Sequence, residues 1–162
     1  MKITLLLFVC LCIVDSSFGQ VDASRVHDFI RAKDVASQPQ KSLEDVEAYL
    51  AFMTEDISDV HVAYSVTREG KDTIRRGLVE STRVKFHSSF QIESMSLGSD
   101  VAVVEYTEAS QYVKDDELVD FSGRTIIVLE FNDEGLISQM RRYLDRGSVI
   151  RNATPCSETD SC

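Results

Sequence analysis

Few side chains in this sequence have the type and spacing that acid–base chemistry requires. His61 lies in a short segment that alternates apolar and polar residues, and a histidine can act as a base near neutral pH. Asp145 lies two residues beyond Tyr143 in another such segment, where it could act as an acid or base or form a salt bridge with Arg124. A lone strand histidine is more often a surface or core residue, so both interpretations stay open.

Other catalytic and metal-binding patterns are absent from the sequence. His27 and His87 have no companions at metal-ligand spacing, which argues against a zinc site. The acidic run at residues 115–117 does not match a calcium-binding loop. The sequence has no glycine-rich phosphate loop and no nucleophile elbow. We therefore expect neither a metal nor another cofactor.

The N-terminal segment has the pattern of a secretory signal. Lys2 is followed by an unbroken apolar run over residues 5–14 and then by small residues at Ser17 and Gly19. Cleavage after Gly19 would remove residues 1–19 as a signal peptide. The sequence therefore predicts a secreted, extracellular protein.

The composition narrows the range of partners. The 162-residue chain has a formal net charge of -10. Nucleic acids and anionic membranes are bound by clusters of Lys and Arg that this sequence lacks, so we expect neither as a partner. Acidity combined with secretion leaves open an extracellular matrix or mineral-associated component.

The periodicity of apolar residues predicts three helices in the first half of the chain. The first covers residues 23–36, where apolar residues recur at helical spacing. The second begins at Ser42, with Asp45 placed as in a capping box, and the third is capped by Asp72. The stripe that we expect the second helix to bury is Leu43, Val46, Leu50 and Met53.

Strands dominate the second half of the chain. A short strand is predicted over residues 59–66, with a turn at residues 67–70 before the third helix. Four long strands are then expected, over residues 87–97, 101–113, 119–131 and 136–145. Their short polar connections make them antiparallel neighbours. The fold class is therefore α+β, with three N-terminal helices packed on a strongly curved, mainly antiparallel sheet.

One of these strands is apolar on both faces. Ile127 and Leu129 point one way, while Ile126 and Val128 point the other. One face is expected to pack against the helices. The other is expected to contact a second subunit, which predicts a homodimer through the outer face of the sheet.

The domain is predicted to cover residues 20–147, followed by a loosely held polar tail over residues 148–162. Cys156 and Cys162 could form a disulfide in an oxidising compartment, within one chain or between two. Asn152 begins a glycosylation sequon in the same tail.

The order of elements resembles the nuclear-transport-factor-2-like superfamily, and its SnoaL-like branch in particular. The resemblance covers residues 26–146 and includes EGKDTIRRGL at the third helix and GLISQMRRYLD in the last strand. It implies a cone in which three helices close a bent sheet around an apolar pocket, with Phe29, Tyr64 and Ile127 as expected pocket residues. Such proteins include polyketide cyclases, epoxide hydrolases, isomerases, ligand binders and assembly modules, so the fold does not decide the activity.

The resemblance also locates catalytic groups that this sequence lacks. The isomerases' base aligns near His61, but their acid matches Ile127 and their tyrosine matches Phe29. The aspartate of the epoxide hydrolases matches Arg142. Without these oxyanion-stabilising donors, we predict a non-catalytic binding or extracellular structural component with a small apolar pocket. The alternative is an isomerase, cyclase or hydrolase of a small apolar molecule, with His61 and Asp145 as its acid/base pair.

Overall fold

The computed structural model describes residues 21–81 and 85–155. Three α-helices lie in this part of the chain, α1 (Ala23–Ser37), α2 (Leu43–Leu50) and α3 (Lys71–Ser81). The strands are β1 (Met53–His61), β2 (Val66–Glu69), β3 (Lys85–Leu97), β4 (Val101–Lys114), β5 (Glu117–Phe131), β6 (Ile137–Leu144) and β7 (Ile150–Pro155). None of the helices described is long and apolar enough to cross a membrane.

All seven strands belong to one mixed sheet. Its order is β2-β1-β6-β5-β4-β3, and β7 pairs with β5 outside this path. Neighbours are antiparallel except β1 and β6, which run parallel. Three helices packed on an open, mainly antiparallel sheet confirm the predicted α+β class.

The predicted start of α2 is confirmed as a capping box. The Ser42 hydroxyl accepts a hydrogen bond from the Asp45 backbone N–H at 3.1 Å, and the Asp45 carboxylate accepts one from the Ser42 N–H at 2.7 Å. The predicted stripe is wrong at Leu43, which is 61% exposed because it lies in the first turn, away from the sheet. Met53 is buried, but as the first residue of β1.

The first strand starts earlier than the sequence pattern predicted. The polar residues Thr54 to Asp56 interrupt the alternation of apolar residues and so hid the beginning of β1. Ser65, whose backbone is left-handed with φ of 53°, reverses the chain after a short 3₁₀ helix at Val62–Tyr64. Residues 67–70, predicted to be a turn, instead lie mostly in β2, which is antiparallel to β1.

The four predicted long strands are confirmed as β3 to β6, with antiparallel pairing between each strand and the next. The turn between β5 and β6 is held by the side chain of Asn132, whose Oδ1 accepts hydrogen bonds from the N–H groups of Glu134 and Leu136. Gly135 adopts the left-handed backbone, with φ of 73°, that this turn requires.

The two faces of β5 have different environments. Ile127 and Leu129 are fully buried in the core formed with the helices. Ile126 is 40% exposed on the opposite face, beside Tyr143 of β6, which is 41% exposed. The packing of one face against the helices is therefore confirmed, and a second subunit on the other face stays a prediction.

The C-terminal segment is more ordered than a loose tail. Asp145 leads into a 3₁₀ turn at Arg146–Ser148, after which β7 pairs with the first half of β5. β6 pairs with the second half of β5, so β6 and β7 share one side of this strand. Asn152 is exposed within β7, where its glycosylation stays a prediction. The signal segment and the cysteines at positions 156 and 162 lie outside the described residues.

The two faces of β5 can be compared by matched substitutions. We expect Ile127→Ala to lower the free energy of unfolding by about 2–5 kcal/mol, because it leaves a cavity in the core. Ile126→Ala, one residue away on the exposed face, should cost less than about 1 kcal/mol. Urea unfolding of both variants measures the difference, and equal losses would contradict the assignment of the two faces.

Candidate functional site

A cavity of about 350 Å³ lies between the helices and the sheet. The three helices, the segment at residues 61–68 and strands β3 to β6 all contribute to its wall. Its lining residues are Lys33, Ser37, Tyr49, His61, Ala63, Tyr64, Arg68, Ile74, Gly77, Leu78, Ser81, Phe90, Tyr106, Glu108, Ser110, Tyr112, Phe121, Thr125, Arg142 and Leu144. The wall therefore combines aromatic and aliphatic surfaces with a few ionisable groups.

A buried ion pair lies at one end of this wall. The parallel pairing of β1 and β6 places Asp59 opposite Met140 and brings it next to Arg142. Arg142 Nη2 donates a hydrogen bond to Asp59 Oδ2 at 2.9 Å. The Asp59 side chain is fully buried and that of Arg142 is 16% exposed, so water screens this pair far less than a surface pair.

His61 shares the same carboxylate oxygen. Its Nε2 lies 3.2 Å from Asp59 Oδ2. Because an ionised carboxylate only accepts hydrogen bonds, this contact requires the hydrogen of the ring to be on Nε2. In neutral His61 the other nitrogen, Nδ1, is then the one able to accept a proton. Asp59 thus orients His61, which lines the cavity, from behind the wall.

The charges of this cluster reinforce one another. Burial alone would raise the pKa of Asp59, but the Arg142 charge and the His61 hydrogen bond outweigh it and hold that pKa below its ordinary value of 3.8. Burial likewise opposes the charge on Arg142, yet Asp59 raises the pKa of Arg142 above its ordinary range. Both groups are therefore ionised at neutral pH.

Two tyrosines and a lysine lie near the pair. Burial raises the pKa of Tyr49 to about 12 and raises that of Tyr106 as well, so both keep neutral hydroxyl groups. Lys33 reaches the cavity from α1, with its Nζ 3.3 Å from the ring centre of Phe90 and 5.4 Å from that of Tyr106. Aromatic faces therefore receive this buried ammonium group.

Arg68 approaches the cavity from β2. Its guanidinium lies against α3 at Gly77, where a Cβ atom would come within 3.4 Å of Arg68 Nη1. A glycine inside a helix costs about 1 kcal/mol relative to alanine. A Cβ at this position would be in ordinary van der Waals contact with the guanidinium, so the packing of Arg68 does not require the glycine.

The predicted pocket residues differ in their positions. Tyr64 and His61 line the cavity. Phe29 and Ile127 do not, since they are 1% and 0% exposed within the core. Phe29 stacks on Tyr49 with ring centres 5.3 Å apart, and so supports a lining residue from behind. A resemblance in the order of elements could not separate residues that line the wall from those one layer deeper.

Asp145 lies away from the cavity. It accepts a hydrogen bond from Arg124 Nη2 at 2.9 Å and another from the Gly147 N–H at 3.0 Å. These contacts lower the pKa of Asp145, that with Arg124 most of all. The alternative interpretation of Asp145 as a salt-bridge partner is therefore confirmed, and the structure does not bring Asp145 and His61 together.

Sequence reasoning missed Asp59, Lys33 and the role of Arg142. Asp59 is two residues from the buried Ile57, and Arg142 is two from the buried Met140, so each has the inward parity of its strand. Charged residues at inward positions on two strands were a usable signal. Their pairing depended on β1 and β6 being neighbours, which the sequence does not reveal.

Replacing one member of the ion pair should be costly. We expect Asp59→Asn to lower the free energy of unfolding by about 3–5 kcal/mol, because it leaves the buried Arg142 charge unpaired. The double variant Asp59→Leu/Arg142→Met should recover most of this loss, since neither charge of the pair is left buried without its partner. Urea unfolding tests both, and additive losses in the double variant would contradict the pairing.

The pH dependence of the same measurement gives a second check. Ionised Asp59 contributes its full stability above its ordinary pKa of 3.8, and this is lost as the pH falls through the lower folded-state value. The difference between the wild type and Asp59→Asn should therefore be constant near neutral pH and shrink below 3.8. A difference that persisted unchanged in acid would assign the stability to something other than charge.

Comparison with known proteins adds evidence on the fold. No protein-family model matches the chain, and neither does any curated protein. One similar structure is that of SalBIII, described as an epoxide hydrolase/cyclase-like enzyme in pyran ring formation in the polyether salinomycin. Its TM-score is 0.63 at 16% sequence identity, and the match covers 78% of this chain and 92% of that one. A Shewanella denitrificans protein described as a SnoaL-like polyketide cyclase has a TM-score of 0.65 at 14% sequence identity. The match covers 77% of this chain and 90% of that one.

A third structure, a computationally designed 17-OHP binder, has a TM-score of 0.62 at 14% sequence identity. The match covers 83% of this chain and 100% of the designed chain. These likenesses extend over most of the chain and agree with the element order described above. The chain therefore has the nuclear-transport-factor-2-like fold that the sequence resemblance implied.

Proposed function

We propose that the protein is a secreted binding protein for a small, largely apolar molecule, which it holds in the cavity between helices and sheet. The cavity itself is the observation that supports this proposal. Its volume of about 350 Å³ is in the range of small-molecule sites, and aromatic and aliphatic side chains form much of its wall. Secretion is proposed from the N-terminal segment alone.

Binding is favoured over catalysis by what lies at the family's catalytic positions. Ile127 and Phe29, which match an acid and a tyrosine of the isomerases, are apolar and buried in the core. Arg142, which matches an aspartate of the epoxide hydrolases, is engaged with Asp59. A computationally designed 17-OHP binder has a similar fold, which shows that binding has been designed into this fold.

Filling the cavity should abolish binding. N-phenyl-1-naphthylamine, a neutral dye that fluoresces in apolar surroundings, serves as the probe. We expect Leu78→Trp, which places an indole in the cavity wall, to weaken binding of the dye at least about tenfold, corresponding to about 1.4 kcal/mol. Val79→Trp, on the neighbouring exposed position of α3, is the matched control and should leave binding unchanged.

Fluorescence titration and urea unfolding of both variants complete the test. The unfolding curves show whether Leu78→Trp still folds. Absence of dye binding to the wild type would contradict the proposal, and so would equal binding by the two tryptophan variants.

A second candidate function is supported by the Asp59–His61 contact. With Nε2 directed to Asp59, Nδ1 of His61 could take a proton from water while the water oxygen bonds to an epoxide carbon. The carbon–oxygen bond of the ring would break, and the resulting alkoxide would take the proton back from the imidazolium to give a diol. The structural likeness to an epoxide hydrolase/cyclase-like enzyme favours this candidate over other reactions.

Styrene oxide provides a test of this candidate. The binding proposal predicts no diol formation above the rate in buffer, measured by chromatography. If the wild type does form the diol, the enzyme candidate predicts a loss of about 10²–10⁴-fold in His61→Ala, as for a missing general base. Asp145→Asn, outside the cavity, is the control and should keep the wild-type rate. Diol formation that is lost in His61→Ala and kept in Asp145→Asn would contradict the binding proposal and support the enzyme candidate.

A further inference from the structure

The cavity wall differs in charge from the protein as a whole. The chain has a formal net charge of -10, yet the lining residues include the cations Lys33, Arg68 and Arg142 and the single carboxylate of Glu108. Asp59 adds one more negative charge behind the wall. The cavity wall of this acidic protein therefore carries more cationic than anionic side chains.

The positive charge of Arg142 is balanced by neighbouring carboxylates. Asp59 forms a direct ion pair with it, and Glu108 also favours its charged form. Its charge is therefore already balanced within the wall. Its role toward a ligand is secondary to that structural pairing.

Arg68 is in a different position. Its guanidinium has no hydrogen bond or salt bridge with any residue in the described part of the chain. By comparison, the exposed Arg124 pairs with Glu105 and Asp145, and Arg141 pairs with Glu130. Arg68 is partly buried, and its guanidinium lies beside Gly77 in the cavity wall. Asp59, its cross-strand neighbour, interacts with the Arg68 charge but forms no direct ion pair with it, so the N–H donors of Arg68 can receive a carboxylate from a ligand.

We infer that the ligand is a small molecule with an aromatic or aliphatic body and one carboxylate, and that Arg68 binds this carboxylate. The inference depends on the proposed binding function. A guanidinium offers two parallel N–H donors that match the two oxygens of a carboxylate. The body of the ligand then packs against apolar and aromatic lining residues such as Leu78, Tyr106 and Phe121.

A pair of probes that differ only in charge tests the inference. Naphthalene-2-carboxylate and naphthalene-2-carboxamide have the same ring system and nearly the same shape. Calorimetric titration of the wild type should show tighter binding of the carboxylate by about tenfold or more, as expected for a hydrogen bond to a charged group. In Arg68→Gln this preference should disappear, while the affinity for the carboxamide stays within about twofold.

Two further variants control for charge and folding. Arg76→Gln removes the same charge from an exposed position of α3 outside the cavity and should keep the preference. Arg68→Lys retains the charge but lacks the two parallel N–H donors of the guanidinium. It should therefore keep part of the preference for the carboxylate. If neither probe binds the wild type, the proposed function fails and the inference with it. If both bind equally, or if Arg68→Gln keeps the preference, the inference alone is overturned.

Discussion

Asp59 and Arg142 lie side by side in the interior, and the rest of the site depends on their pairing. The carboxylate is fully buried, and it would be costly to keep ionised without the guanidinium at 2.9 Å. The two residues belong to β1 and β6, the only parallel neighbours among the described strands. Their contact therefore joins the N-terminal hairpin of β1 and β2 to the strands that follow α3.

The same pair determines what the cavity can present to a ligand. Asp59 accepts from His61 through the oxygen that also accepts from Arg142, so one buried carboxylate fixes two lining side chains. The pair also balances the charge of Arg142 within the cavity wall. Arg68, the cross-strand neighbour of Asp59 in the β1–β2 pair, is the lining arginine whose guanidinium forms no direct ion pair in the described part of the chain.

Local signals in the sequence were sufficient for much of the fold. The Ser42 capping box and the short polar connection at residues 132–135 were both predicted because the interactions that form them lie within a few residues. The predicted position of β1 was too late in the chain because polar residues interrupt its apolar alternation. β7 was missed because a short polar strand gains its stability only from pairing with β5. The Asp59–Arg142 pair joins residues 83 positions apart, so only the strand order reveals it.

The site shows how an acid can be misassigned when its partner is unknown. Asp145 and Asp59 both lie in segments that alternate apolar and polar residues. Asp145 forms an exposed salt bridge, whereas Asp59 forms a buried one. The face of the sheet opposite the core, where Ile126 and Tyr143 are exposed, is a second surface to which an apolar molecule could bind.

The location of a bound ligand distinguishes these two surfaces directly. The most direct measurement is therefore the set of intermolecular nuclear Overhauser effects between naphthalene-2-carboxylate and the side chains of the wild-type protein. We predict contacts from the ring protons to Leu78, Tyr106 and Leu144 in the cavity. Contacts confined to Ile126 and Tyr143, on the face of the sheet opposite the core, would contradict the assignment of the cavity as the binding site.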